Sequence, residues 1–274
     1  MTGRLLVVGT PIGNLGDLSP RVAAALREAD LVVAEDTRVA AKVLRFIGAR
    51  RPTLSFTDHN AAERLPAILG RLAAGETVAL TTDAGMPAVS DPGARLVAAA
   101  RAGGHAVEVV PGPSAVTAAM AAAGVEALGF VFGGFLPARP ASARRGALEQ
   151  VLGAAGSLGL PLVLFEAPHR VRALLSALAD AVPMAQVAAA RELTKLHEEV
   201  VEGSPAEVAD ALGEPRGEFT LVVSGLTAPA AATPDVDALL AAARAAGLPE
   251  RSVVELLRAV GIGRREAYRL ASRR

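Results

Sequence analysis

Residues 4–29 read RLLVVGTPIGNLGDLSPRVAAALREA, and this stretch decides the fold. Arg4–Thr10 is a run of Leu and Val without polar alternation, the pattern of a strand buried on both faces. Ser19 then Pro20 is a helix start: a hydroxyl cap, with proline at the first helical position. The Ala/Leu-rich segment behind it runs to about Ala29. Strand, loop and capped helix make one unit of a parallel α/β sheet, and the unit recurs. Leu31–Glu35 is a second strand, followed by a helix over Thr37–Ile47 that Gly48 closes. Thr53–Phe56, Thr77–Leu80 and Ala106–Val110 supply three more strands, with helices near Asn60–Ala74 and Ala94–Ala102 between them.

The second half is less regular. Strands are expected at Phe130–Phe135, Leu160–Phe165, Gln186–Glu192, Glu198–Glu202 and Phe219–Val223, and helices at Ser142–Ala155, His169–Ala181 and Pro205–Leu212. No crossover helix fits between Gln186–Glu192 and Glu198–Glu202, so they should form a hairpin and the sheet should be mixed. The expected fold class is therefore α/β with two α/β domains. The first, 1–115, carries a mostly parallel sheet and the second, 116–225, a mixed one. A Pro/Ala-rich linker at 226–235 leads to a helical basic tail at 236–274, with helices near Val236–Ala246, Glu250–Val260 and Arg264–Arg274.

A chain of 274 residues is long enough to bury two cores. Lys+Arg and Asp+Glu are both 28, which argues against binding nucleic acid or a membrane with the whole surface and leaves room for a local patch. One such patch is the end of the chain, where seven Arg from Arg251 onward face only Glu255 and Glu266. A solvated helix and a surface for an anionic partner both fit it; for the second, the candidates are Arg258, Arg264, Arg265 and Arg269. The chain has no Cys, which removes disulfides, thiolate metal sites and a Cys nucleophile, and no metal is expected. No export signal and no apolar span of about 20 residues is visible, so a cytoplasmic protein without membrane contact is expected. Aromatic content of 3% argues against base-stacking platforms of the RRM or OB type.

In open α/β sheets the ligand sits beyond the carboxyl ends of the strands. The first such loop, GTPIGNLGD at 9–17, is neither GxGxxG nor a Walker A sequence, which disfavours an ordinary nicotinamide or nucleoside-triphosphate site. The second, AEDTR at 34–38, sets Glu35 beside Asp36, either as a helix N-terminal charge pair or as site groups. After the fourth strand comes TTDAGMPAVSDPG at 81–93, too stiff and polar for a mere connection. After the fifth, VPGPSA at 110–115 delivers a helix N-terminus with small residues and the Ser114 hydroxyl. In the second half FEAPHR at 165–170 and ARELTK at 190–195 put ionisable groups at the ends of apolar strands.

These loops, together with GGFLPAR at 133–139 and GEFTL at 217–221, occur in one order. The set strongly resembles the bacterial small-subunit ribosomal RNA cytidine 2′-O-methyltransferases of the tetrapyrrole-methylase superfamily, over about residues 4–225. Met86 and Phe165 stand where that family suggests a small polar residue and a Tyr. The resemblance implies two α/β domains, S-adenosylmethionine (SAM) in the cleft between them, a homodimer, and small-subunit ribosomal RNA or the subunit particle as partner. It also implies cofactor contacts at Pro11, Thr81, Thr82, Asp83, Met86 or Pro87, Ser114, Ala115, Glu166 and Leu193.

Methyl transfer to a ribose hydroxyl needs alignment above all, worth ~7–11 kcal/mol, and then a base or cation beside a weakly acidic group, the base worth ~10²–10⁴-fold. The candidates are Lys195 with Glu192 tuning it, then His169, then Glu35. A desolvated Lys can lose its proton, which Arg cannot. Two other readings compete: a tetrapyrrole C-methyltransferase of the same fold, and a non-enzymatic RNA-binding or assembly protein.

Overall fold

The computed structural model describes residues 3–227 and 236–272. In the N-terminal half, strands β1 (Arg4–Val8), β2 (Leu31–Ala34), β3 (Thr53–Ser55), β4 (Thr77–Leu80) and β5 (Ala106–Val110) alternate with helices α1 (Pro20–Glu28), α2 (Thr37–Phe46), α3 (Ala61–Ala73) and α4 (Ala94–Ala102). The sheet order is β3-β2-β4-β1-β5, and every pairing is parallel. Both faces are covered, which is why the strands lack polar alternation. Leu6 and Val8 pack with Val22, Leu26, Val43 and Leu44 of α1 and α2, while Leu5 packs with Ile68, Leu72 and Leu96 of α3 and α4. Ser19 caps α1 by accepting the Val22 N–H, with Pro20 at its first position, as expected. The first loop holds an unforeseen single 3₁₀ turn, Leu15–Asp17, whose Gly16 N–H donates to the Asn14 side chain.

The second half comprises α5 (Ala115–Ala122), β6 (Val131–Phe135), α6 (Ala141–Leu158), β7 (Leu162–Glu166), α7 (Pro168–Ala181), β8 (Gln186–Arg191), β9 (Glu199–Gly203), α8 (Pro205–Ala211) and β10 (Phe219–Ser224). Its sheet runs β6-β7-β10-β8-β9. β6 pairs with β7 in parallel and all other pairings are antiparallel, so the sheet is mixed and β8–β9 is the expected hairpin. One face of this sheet buries Leu162, Leu164 and Leu221 under α6, α7 and α8. The other face sets Val163, Ala190 and Val222 against Val116 of α5 and Ile12 of the first loop. That second contact joins the two halves and leaves a cleft between them.

The tail forms α9 (Val236–Ala245), α10 (Glu250–Ala259) and α11 (Arg264–Ala271), with a small core of its own around Leu240, Val253, Leu257 and Ala267. Of the expected linker 226–235, residues 228–235 lie outside the described residues.

Candidate functional site

The cleft holds a cavity of about 500 Å³ at the carboxyl ends of the first sheet. It opens where β1 and β4 lie side by side and their connections leave in opposite directions, the switch point at which such sheets bind ligands. The loops after these strands are clamped together. Thr10 N–H donates to the Gly85 carbonyl at 2.8 Å and Gly85 N–H to the Thr10 carbonyl at 3.1 Å. Gly9 and Gly112 touch backbone to backbone: a Cβ on Gly9 would lie 2.5 Å from the Gly112 nitrogen. Only glycines permit that approach, and it brings the loop with Ser114 up to the first loop.

Three carboxylates face the cavity: Glu35, Asp83 and Asp91. Glu35 accepts from the Thr82 hydroxyl at 3.2 Å, and Asp83 accepts the Asp36 N–H at 3.0 Å. Burial pushes the Glu35 carboxyl above its ordinary pKa, and the Asp83 charge adds to it. Burial likewise raises Asp83. Asp91 is pushed up to about 6 by burial and by the charges of Glu35 and Asp83, against a hydrogen bond from Thr82. Glu166 and Glu218 also line the cavity, and among the lining residues there is no Lys, Arg or His. The cavity therefore favours a cation.

On the opposite wall Ser114 caps α5 in an extended conformation, and its side chain makes no capping bond to the helix. Its hydroxyl and the first-turn amides of α5 are hydrogen-bond donors on this wall of an otherwise acidic cleft. Glu166, 1% exposed, is neutralised from behind. It accepts from Arg144, from Arg170 Nε at 2.7 Å and from the Ala167 N–H at 2.8 Å.

The adjacent acids of AEDTR divide their work. Asp36 caps α2, accepting the Arg38 N–H at 2.7 Å, while Glu35 turns into the cavity. Asp83, Met86, Ser114, Ala115 and Glu166 line the cavity with it. Pro11, Thr81, Thr82, Pro87 and Leu193 are buried behind the wall and shape it: Thr81 donates to the Val33 carbonyl, and Leu193 packs with Ile12 and Val116. His169 is exposed on the first turn of α7, outside the lining. Arg258, Arg264, Arg265 and Arg269 are exposed on the tail, with Arg269 paired to Glu266.

Lys195 departs from the expectation of a proton acceptor. Its Nζ donates to Glu192 and Glu218, each at 2.8 Å. Burial pulls its pKa down, but the two carboxylates outweigh that and the net shift is upward. Burial tends to raise the Glu192 carboxyl, and Lys195 turns the net shift downward. Lys195 thus stays an ammonium at neutral pH and does not line the cavity. It instead bridges the halves: a Cβ on Gly13 would meet its Cγ at 2.6 Å, and Asn14 N–H donates to Thr194 Oγ1 at 3.1 Å.

Sequence reasoning missed Ile12, Ser90, Asp91, Phe135 and Thr220 as lining groups. A signal existed for two of them in the stiffness of 81–93. Among the described residues the non-glycine positive φ values fall at Ala88, Ser90, Glu192 and Thr194, all inside two loops singled out above. Such strain costs ~1–3 kcal/mol per residue and collects at ligand clamps.

A raised carboxyl pKa in the folded state means that the native protein holds the proton more tightly than the unfolded chain. Asp91 therefore costs stability as pH rises from its unfolded value toward 6, and the cost stays constant above. Asp91→Asn is expected to stabilise the protein by ~1–2 kcal/mol at pH 7, after discounting for its solvent contact, and by little at pH 4. Urea unfolding at the two pH values reads this, and equal effects at both would refute it.

A two-lobed α/β protein with an acidic, cation-favouring cleft at a strand switch point defines a fold group. The family described as Tetrapyrrole (Corrin/Porphyrin) Methylases matches residues 4–209, and the chain belongs to it. A protein of Xylella fastidiosa named ribosomal RNA small subunit methyltransferase I is 43% identical over 228 residues, 81% of this chain and 82% of its own. One of the same name from Mesorhizobium japonicum is 39% identical over 269 residues, 97% of this chain and 90% of its own, so that likeness runs into the tail. The crystal structure of uroporphyrin-III C-methyl transferase from Thermus thermophilus with S-adenyl homocysteine matches at a TM-score of 0.57 and 20% identity. It covers 82% of this chain and 98% of that one, and shares the fold.

Proposed function

We propose that this protein is a SAM-dependent methyltransferase of small-subunit ribosomal RNA that acts on the ribose 2′-oxygen of a cytidine. The observation that carries the reading is the cavity: about 500 Å³, faced by Glu35, Asp83 and Asp91 with no basic residue in its lining, and with the Ser114 hydroxyl and the start of α5 on the opposite wall. A ligand with a sulfonium, an ammonium and one carboxylate fits that charge pattern, and the volume lies in the range of small-molecule sites. When bound, SAM supplies an activated methyl group. Ser114 and the first-turn amides of α5 would hold its carboxylate, Asp83 would accept from its ammonium or ribose, and Glu35 and Asp91 would face the positive charge. Glu35 is the one candidate for proton removal that lines the cavity, and we assign it to the attacking hydroxyl.

We take residues 1–115 and 116–225 as the two catalytic domains of a cytoplasmic homodimer, acting on naked RNA or on the subunit particle. No described helix is long and apolar enough to cross a membrane. The test is mass mapping of small-subunit ribosomal RNA treated with protein and SAM. One cytidine should gain a ribose methyl group, and a deoxycytidine at that position should be inert, because the 2′-hydroxyl is the acceptor. Methylation of the deoxy substrate or of a base carbon refutes the reading.

The tail has its own small core and exposes Arg258, Arg264 and Arg265, which supports a role in gripping RNA. Cutting after Ala232 should leave SAM affinity within twofold. If about three arginines meet phosphates, the log–log salt slope of RNA binding should shrink by ~2–3. An unchanged slope rejects the role, and collapse of a dimer to monomer assigns the tail to packing.

A further inference from the structure

Three of the seven Phe in the chain cluster together, and two of them, Phe135 and Phe165, line the cavity. Phe165 lies 5.1 Å from Phe132, edge to face, and 5.4 Å from Phe135. A register shift makes this possible. β6 pairs with β7 as Phe132↔Val163 and then, past Gly133, as Gly134↔Leu164 and Phe135↔Phe165. In a regular strand, residues three apart point to opposite faces. The extra residue reverses the alternation, so Phe132 and Phe135 share the cleft face with Val163 and Phe165. Without the bulge Phe135 would turn to the face covered by α6, α7 and α8. Gly134 adopts φ +60°, and a Cβ there would lie 2.9 Å from Ser90 Oγ, so the bulge is seated against the loop after β4. The result is an aromatic side chain that lines the cavity yet stays 56% exposed.

The segment that carries Phe135 is basic, opposite in sign to the cavity. Between Glu126 and Glu149 the chain carries Arg139, Arg144 and Arg145 and no acidic residue. Arg139 and Arg145 are exposed. A polyanion is repelled by the carboxylates inside and attracted by the arginines outside. A half-exposed ring backed by two others, at that boundary, is a rigid face for a base.

We infer that Phe135 stacks on the base of the nucleotide whose ribose is methylated, with Arg139 and Arg145 on the flanking phosphates. This rests on the RNA reading proposed above. Phe135→Ala should lower kcat/KM for small-subunit ribosomal RNA by about 10- to 100-fold, the cost of one lost base stack. SAM affinity, read by calorimetry without RNA, should stay within twofold. Phe135→Trp should restore kcat/KM to within a few-fold. Because the chain has no Trp, it also provides a single tryptophan, excited apart from Tyr268, that the RNA should quench on binding. Full activity of Phe135→Ala overturns the inference, as does a Trp signal that RNA leaves unchanged. Equal losses of SAM affinity and RNA turnover would assign the ring to the cofactor, and a change of mass in solution would assign it to a subunit contact; either overturns the inference. If the wild-type protein methylates no RNA, the functional reading fails and takes this inference with it; every other outcome is read against an active wild type.

Discussion

Glu166→Ala is expected to destabilise the protein by ~3–5 kcal/mol, a cost typical of removing one partner from a buried ion pair. The Glu166 side chain is fully buried, and the arginines it satisfies, Arg144 and Arg170, are 17% and 24% exposed. Alanine leaves two guanidinium groups beside the core of the second sheet without their anion, and it also orphans the Ala167 N–H at the start of α7. Few surface substitutions approach that scale. Glu166→Gln, which keeps an acceptor but not the charge, should fall between the two. Urea denaturation of both variants gives the measurement. A loss below ~1 kcal/mol for alanine would show that water replaces the carboxylate easily, and the burial argument would fail.

Ser114→Trp should reduce SAM affinity by at least about 100-fold and abolish methyl transfer while leaving the fold intact. Ser114 is half-buried at the mouth of a 500 Å³ cavity, so an indole has space to enter without displacing the core. Once there it covers the first-turn amides of α5. Asp83→Ala should act more mildly, about tenfold, because it deletes one acceptor in a cavity that keeps Glu35 and Asp91. It also frees the Asp36 N–H at the start of α2, so its thermal stability should fall slightly. Calorimetric affinities within twofold of wild type for both variants would move the cofactor elsewhere.

Much of the site was legible because strand ends are legible. Apolar runs and capped helices locate the loops, and sheet topology then decides which loops converge. Strand ends pointed to the loops that carry Glu35, Asp83, Ser114 and Glu166, and the family resemblance singled out the last three within them. Lys195 shows the limit. Its sparse residue type and its place at a strand end suggested a proton acceptor, but protonation depends on neighbours. One of the two carboxylates it meets, Glu218, lies 23 positions away and reaches Lys195 only because β10 runs beside β8.

Local pattern by itself determined the α/β class, the parallel first sheet, the β8–β9 hairpin and the helices of the tail, since burial periodicity and capping act within a few residues. Tertiary structure alone decided which acid of the Glu35–Asp36 pair caps a helix and which faces the cavity. It also decided that Glu166 lies buried between two arginines, and that Phe135 shares a face with Phe132. Each of these depends on a partner strand or loop. A one-residue bulge reverses every side chain beyond it, and a carboxylate takes its charge state from groups that only folding brings near.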